Sequence, residues 1–187
     1  IEDLRALIRT IPDFPRPDLR GYLKHRYLIA LGSNVRHRRY GPPRRVLGAA
    51  LDELAAARQV KLQAASSVIE SAPLGPSRRR YANAAALIRK KLEPAELLEL
   101  LKGIEARFGR RRGARWSARV LDLDIVLWDG GCWWSPRLTI PHPMFRERRF
   151  VLGPASRIAP DWRDPLSGFT LRQLNARGYG QPGSGRV

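Results

Sequence analysis

Cysteine, acid and long apolar runs are what this chain has least of. Cys132 is the only cysteine among 187 residues and there are three histidines, so an internal disulfide is ruled out and a Cys/His zinc site is not expected. No stretch of about 18 uninterrupted apolar residues occurs, the length that a membrane-spanning helix needs. The first residues also lack the charged, apolar and small-residue succession of a secretory signal. A cytoplasmic protein without membrane contact is therefore expected. Acids number 17 against 35 Lys and Arg, a net charge of +18, and this predicts polyanionic partners, either nucleic acid or a phosphorylated small molecule. Thirty of the basic residues are Arg, scattered along the whole chain. That scatter makes nucleic acid the weaker reading.

What the chain does have is an acid pair in an apolar setting. Val120 to Leu127 alternates Asp122 and Asp124 with Val, Leu and Ile, the pattern of a buried strand with one charged stripe. Side chains two apart on a strand share a face, roughly 7 Å apart. Two carboxylates so placed repel each other, and a cation relieves the repulsion. Oxygen ligands suit Mg²⁺, which fills its shell with water and substrate phosphates. Arginines between Arg110 and Arg119, immediately upstream, are suited to hold those phosphates. The segment Arg110 to Arg115 carries no hydrophobic anchor, and loops of this kind close over polyanionic ligands.

The 43% hydrophobic content fits one domain over 26–177, with an N-terminal extension over 1–25 and a Gly-rich, flexible tail over 178–187. Pro12, Pro15 and Pro17 prevent a continuous helix in the extension. Its words Ile8 to Pro17 resemble the N-terminus of adenine phosphoribosyltransferases, but nothing later continues that likeness and no function follows from it. Arg26 to Leu31 is a central strand ending at the turn Gly32-Ser33-Asn34. Pro42 and Pro43 open a helix with Val46, Leu47, Ala50, Leu51 and Leu54 on its apolar face. A second strand region runs from Val60 to Glu70, kinked at Ser66-Ser67. Tyr81 to Ile88 reads as a strand despite its alanines. Glu93 to Phe108 is the clearest helix, stopped by Gly109. A Gly130-Gly131 turn follows the acid-pair strand, then one or two short helices within Phe145 to Ile158 and another within Gly168 to Leu174. Strands and helices without regular βαβ alternation predict an α+β fold.

Several separated words then fit one family in order and at suitable spacing. These are Leu31-Gly32-Ser33-Asn34, Ala72-Pro73-Leu74-Gly75-Pro76, Tyr81-Ala82-Asn83-Ala84, Arg115-Trp116-Ser117-Ala118-Arg119-Val120-Leu121-Asp122-Leu123-Asp124 and Leu138-Thr139-Ile140-Pro141-His142-Pro143. From about Tyr27 to about Asn175 the chain resembles the 6-hydroxymethyl-7,8-dihydropterin pyrophosphokinases of folate biosynthesis. The resemblance implies a ferredoxin-like antiparallel sheet covered by helices, in a three-layer α/β/α arrangement. It also implies transfer of the β,γ-pyrophosphoryl unit of ATP to the pterin hydroxymethyl oxygen, with AMP released and two Mg²⁺ ions held by Asp122 and Asp124. Such chemistry asks mainly for positioning and charge compensation, so no dedicated side-chain base is expected.

By the same resemblance Arg112 and Arg119 join the two aspartates as catalytic residues. Glu105, Arg110, Arg112, Trp116, Arg119, Ile125, Arg137, Thr139, His142 and Arg148 would hold ATP, and Leu74, Tyr81, Asn83, Trp116 and Phe150 the pterin. A flat, polar-edged bicycle needs aromatic faces and amide groups, which Tyr81, Phe150 and Asn83 supply. The chain departs from the family at the basic run Ser77 to Arg80, at Ser117 and Ala118, and at Arg149, and its basic loop is about one residue shorter. A nucleic-acid-binding module gives no purpose to the acid pair or to Thr-Ile-Pro-His. A catalytically idle homologue is the other alternative, kept open by the altered loop. A monomer acting on small molecules is the expectation.

Overall fold

The computed structural model describes residues 24–58, 60–72, 79–109 and 120–177. Strand β1, His25–Ser33, begins one residue ahead of the expected domain start and is buried on both faces. Tyr27, Ile29 and Leu31 point to one side and Leu28 to the other, each into its own hydrophobic cluster. Such two-sided burial explains why the sequence shows an unbroken apolar run where an exposed sheet would show alternation.

The main sheet has strand order β2-β4-β1-β5, with β2 at Lys61–Ala65, β4 at Tyr81–Lys90 and β5 at Asp122–Trp128. All its pairings are antiparallel, and β3, Ile69–Ser71, also pairs with β4. The expected kink at Ser66-Ser67 divides the region into two strands. Ser66 donates its N–H to the Ala85 carbonyl and accepts the Ala85 N–H on its hydroxyl, both at 2.9 Å. Its side chain thereby fills in for one rung of the ladder. In β5 the register against β1 shifts, from Ile29 opposite Ile125 to Leu28 opposite Leu127. Val126 is the extra residue of a bulge. The bulge lets Val126 and Leu127 both face one cluster while Trp128 turns back to the other.

Helix α1, Pro43–Ala56, buries Val46, Leu47, Ala50 and Leu54 as expected, whereas Leu51 is only partly buried. Helix α2, Pro94–Arg107, starts in a capping box in which Glu96 accepts the Glu93 N–H at 2.9 Å. Gly109 lies just beyond it at φ +78°, a left-handed conformation that favours glycine and ends the helix. Both helices cover the Tyr27, Ile29 and Leu31 face. The opposite face is covered by α3, Arg149–Ile158, and α4, Leu171–Arg177, through Val151, Leu152, Ala155, Leu171 and Leu174. Burying each such Leu is worth about 1.5–3 kcal/mol. A 3₁₀ turn at Phe145–Glu147 precedes α3, and the hairpin of β6, Trp133–Ser135, and β7, Leu138–Ile140, was not evident in the sequence. The extension before residue 24 and the tail after residue 177 lie outside the described residues.

One buried charge anchors the α3 side. Asp164 is fully buried and accepts Arg146 Nε at 2.7 Å, the Ser167 hydroxyl at 2.5 Å and the Leu166 N–H at 3.2 Å. Burial alone raises a carboxyl pKa, but the hydrogen bonds from Arg146 and Ser167 outweigh it and hold Asp164 below the usual range. A depressed acid contributes stability above its unfolded pKa and loses it as pH falls through the folded one. Asp164→Asn is therefore expected to cost about 2 kcal/mol at neutral pH. In urea titrations the deficit should shrink below pH ~4. An equal deficit at pH 7 and pH 3 would mean that the charge contributes nothing.

Candidate active site

The alternation of β5 separates its residues. Leu123 and Ile125 enter the α1 and α2 cluster, so Asp122 and Asp124 point to the opposite face, at the start of the strand. Opposite them on β1 stand Gly32 and Ala30, and beyond these on β4 stand Asn83 and Ala85. The topmost row is thus Asn83, Gly32, Asp122. With strands about 4.8 Å apart, the amide and the first carboxylate stand on backbones roughly 10 Å apart, and nothing larger than a glycine lies between them. Tyr81 and Asn83 share one face of β4 by the strand period.

Asn83 is 4% exposed and donates Nδ2 to the Ser71 hydroxyl at 2.9 Å. That bond commits the nitrogen to β3 and leaves the amide oxygen toward Gly32, where an added Cβ would lie 3.8 Å from it. Phe150 packs on the edge of the α3 cluster, with the Arg148 guanidinium 5.9 Å from its ring centre. His142 follows the cis Ile140-Pro141 peptide. It donates its N–H to the Val126 carbonyl at 3.0 Å and accepts the Met144 N–H on Nδ1 at 3.2 Å. These bonds hold the ring beside β5.

Electrostatics tie the cluster together. Burial, and then the neighbouring Asp122 carboxylate, push the Asp124 pKa up, against the opposing pull of His142, Lys102 and Arg148. Burial lowers the His142 pKa, Asp124 and Asp122 act to raise it, and Arg148 lowers it further. An acid held at a raised pKa beside another acid is a site that gains by taking up a cation. Among the described residues no group of three or more His, Cys, Asp or Glu could enclose a metal ion. Two carboxylates suit instead an ion that takes the rest of its ligands from water and substrate phosphates. The residues therefore fit Mg²⁺.

The other expected residues fall in several places. Glu105 is fully buried on α2 and accepts the Leu123 N–H at 2.8 Å and Lys102 Nζ at 2.7 Å. The Ile125 side chain is core, so only its backbone, on the sheet's edge strand, is available to a ligand. Arg137 pairs with Glu99 of α2 at 2.7 Å, both well exposed, rather than with the acid pair. Thr139 lies on β7 opposite Trp134. Leu74, Arg110, Arg112, Trp116 and Arg119, and with them the basic loop, lie outside the described residues. Gly32, Ala30, Ser71 and Lys102 are additions that the sequence reading did not make. Only the Gly32-Ser33-Asn34 word hinted at the first of them, and it does so as a continuation of β1 through Ser33 rather than as the expected turn.

Residues 28–160 match the family model described as 7,8-dihydro-6-hydroxymethylpterin-pyrophosphokinase. A 2-amino-4-hydroxy-6-hydroxymethyldihydropteridine pyrophosphokinase of Synechocystis is 41% identical over 150 residues, covering 80% of this chain and 74% of the relative. The Pseudomonas aeruginosa protein of the same name is 40% identical over 141 residues, covering 75% and 84%. The crystal structure of Plasmodium falciparum HPPK-DHPS with pteroate superposes with a TM-score of 0.65 at 12% identity, covering 83% of this chain and 42% of that one. That likeness bears on the fold alone, and this chain spans less than half of the larger one. With the matched family model spanning most of the sheet and α3, the chain belongs to the 6-hydroxymethyl-7,8-dihydropterin pyrophosphokinases, transferases that place a pyrophosphoryl group on hydroxymethyldihydropterin in folate biosynthesis.

Proposed function

We propose that the chain is a Mg²⁺-dependent, ATP-using enzyme in which Asp122 and Asp124 hold two ions and the Asn83, Gly32, Asp122 row receives the pterin. The observation that carries this reading is the row itself, in which an oriented amide and the first acid of the pair flank a glycine. Asn83 would present its amide to the polar rim of the pterin, with Tyr81 and Phe150 against its faces. Arg148 and His142 stand beside the acid pair and would hold triphosphate oxygens, the guanidinium by its planar donor fork. Arg112 and Arg119 join them by family resemblance, as do the other nucleotide and pterin contacts named above apart from Glu105, whose buried carboxylate is engaged by Leu123 and Lys102. Bound Mg²⁺ would compensate triphosphate charge and lower the pKa of the incoming hydroxyl. The protein's own part is then to align the hydroxymethyl oxygen with the β-phosphorus and to exclude water.

The succession β1, α1, β2, β4, α2, β5 in the order β2-β4-β1-β5, with helices on both faces, supports the finer reading of a ferredoxin-like, three-layer fold. We take the enzyme to work as a cytoplasmic monomer. Among the described residues no helix is long and apolar enough to cross a membrane. The test is AMP release from ATP and hydroxymethyl-dihydropterin. Release is expected only with both substrates and Mg²⁺, and should stop on chelation. Undiminished AMP release in excess chelator would reject the metal, and no release at all would favour the idle homologue.

A further inference from the structure

We propose that Glu105 is a positioning residue for the acid pair: its buried carboxylate fixes the open edge of β5 at Leu123, between Asp122 and Asp124, and ties that edge to α2. The inference rests on the acid-pair reading above. Strand β5 ends the main sheet, with β1 on one side only. An edge strand presents a row of N–H groups to no partner strand, and the residue that separates the two aspartates is one of those that need an acceptor. Leu123 is fully buried, so water cannot serve its N–H, and an unmet donor there would be costly.

Glu105 supplies the acceptor from a helix. Its side chain is fully buried and its Oε1 lies 2.8 Å from Leu123 N. A carboxylate makes a stronger bond to a backbone N–H than a neutral oxygen does. It bears its own burial because Lys102 Nζ lies 2.7 Å away. The same ammonium also acts on Asp124, so a single cation offsets part of the charge of both acids.

The two partners stand near the two ends of the connection between α2, which closes at Arg107, and β5, which opens at Asp122. The contact therefore sets the distance between those ends whatever the intervening residues do. Residues that hold metal ligands require placement to within about half an ångström, and that placement comes from partners behind them. Glu105 is such a partner, acting on both aspartates through the backbone that joins them.

The experiment compares wild type, Glu105→Ala and Glu105→Gln as full chains. It records amide exchange at Leu123 without metal or nucleotide, the Mg²⁺ dependence of kcat, and KM for ATP. Glu105→Ala is expected to speed Leu123 exchange on the order of a hundredfold. It should also lower kcat about 10–100-fold and raise the Mg²⁺ concentration for half-maximal activity about tenfold, with KM for ATP within about threefold. Glu105→Gln retains an amide oxygen for the Leu123 N–H and should recover most of both losses. Unchanged Leu123 exchange in Glu105→Ala, with only KM for ATP raised, would overturn the proposal in favour of a nucleotide contact. Should Glu105→Ala not fold, Glu105→Gln still decides: normal exchange with lost turnover would put the carboxylate on the substrate and sink the positioning role. Because exchange is read on the ligand-free protein, it stands even if an active Asp124→Asn variant overturns the acid-pair reading itself.

Discussion

Asp124→Asn is expected to stop turnover and, in the same protein, to raise the melting temperature of the ligand-free chain. The two effects share a cause. Asp124 is held beside Asp122 against apolar neighbours, and burial with that second carboxylate raises its pKa. A raised acid favours the folded state while it is protonated. That contribution is complete below the unfolded pKa and is lost as pH rises through the folded one. Above the ordinary carboxyl range the ligand-free fold therefore bears the cost of that shift. Asn retains the size and loses the charge, so Tm at pH 7 should rise by about 2–4 °C, the shift that roughly 1 kcal/mol produces in a chain of this size. The gain should shrink as pH falls toward the ordinary carboxyl range, because the raised acid takes up its proton first in the folded state.

Catalysis moves the other way. On the proposed reading, an amide in place of one of the two carboxylates removes charge that would hold the metal ion, and a loss of at least about 10³-fold in kcat is expected. Added Mg²⁺ should stabilise wild type and leave the variant's melting temperature unmoved. A variant that melts below wild type at pH 7 would refute the electrostatic account even if activity were lost. One that turns over normally would refute the metal assignment.

The acid pair itself was legible in the sequence, where two acids alternate with Leu and Ile in a strand; a solvated strand edge would account for the pair alone, and the basic stretch just before it favours the metal-nucleotide reading. The element types were legible for similar reasons. The proline pair before α1, the Leu97, Leu101, Ile104 and Phe108 stripe and the Gly109 stop are local signals, and the structure follows them. Ala82 to Ala86 forms strand despite alanine's helical preference because it lies between β1 and the two strands β2 and β3, where short side chains let helices pack close on both faces. Local pattern does not reveal which strands are neighbours. That Asn83 and Asp122 flank the same glycine depends on β1 entering between β4 and β5, and no spacing in the sequence encodes it. The contact of Glu105 with β5 was hidden for a related reason. On α2 it borders the apolar stripe, and its buried partner is a backbone N–H, which leaves no mark in the sequence. The β6–β7 hairpin was missed because its strands are three residues each, too short to show a period.

The neighbour relation leads to a substitution that separates folding from binding more sharply than any change to a charged group. Gly32 lies in the middle of the main sheet with ordinary backbone geometry. An added Cβ there meets nothing closer than the Asn83 amide oxygen at 3.8 Å, an ordinary contact distance. Gly32→Val should consequently fold well, and a β-branched residue in a central strand in place of glycine should leave Tm equal or higher. Its two methyl groups, however, would stand in the open floor between Asn83 and Asp122. A flat ligand lying across that row would then lose both its seat and its reach to the amide, and strain of this kind is not relieved where both neighbouring strands are fixed in register. The expected result is a fall of about 10³-fold in kcat/KM for hydroxymethyl-dihydropterin, roughly 4 kcal/mol of transition-state binding. KM for ATP should change little, because on the proposed reading Arg148 and His142, which hold the triphosphate, lie off this row. Gly32→Ala, with one methyl, should fall between the two at about tenfold. If Gly32→Val retained pterin kcat/KM within about threefold of wild type while folding normally, the substrate could not lie on this row, and the pterin site would have to be sought elsewhere on the sheet.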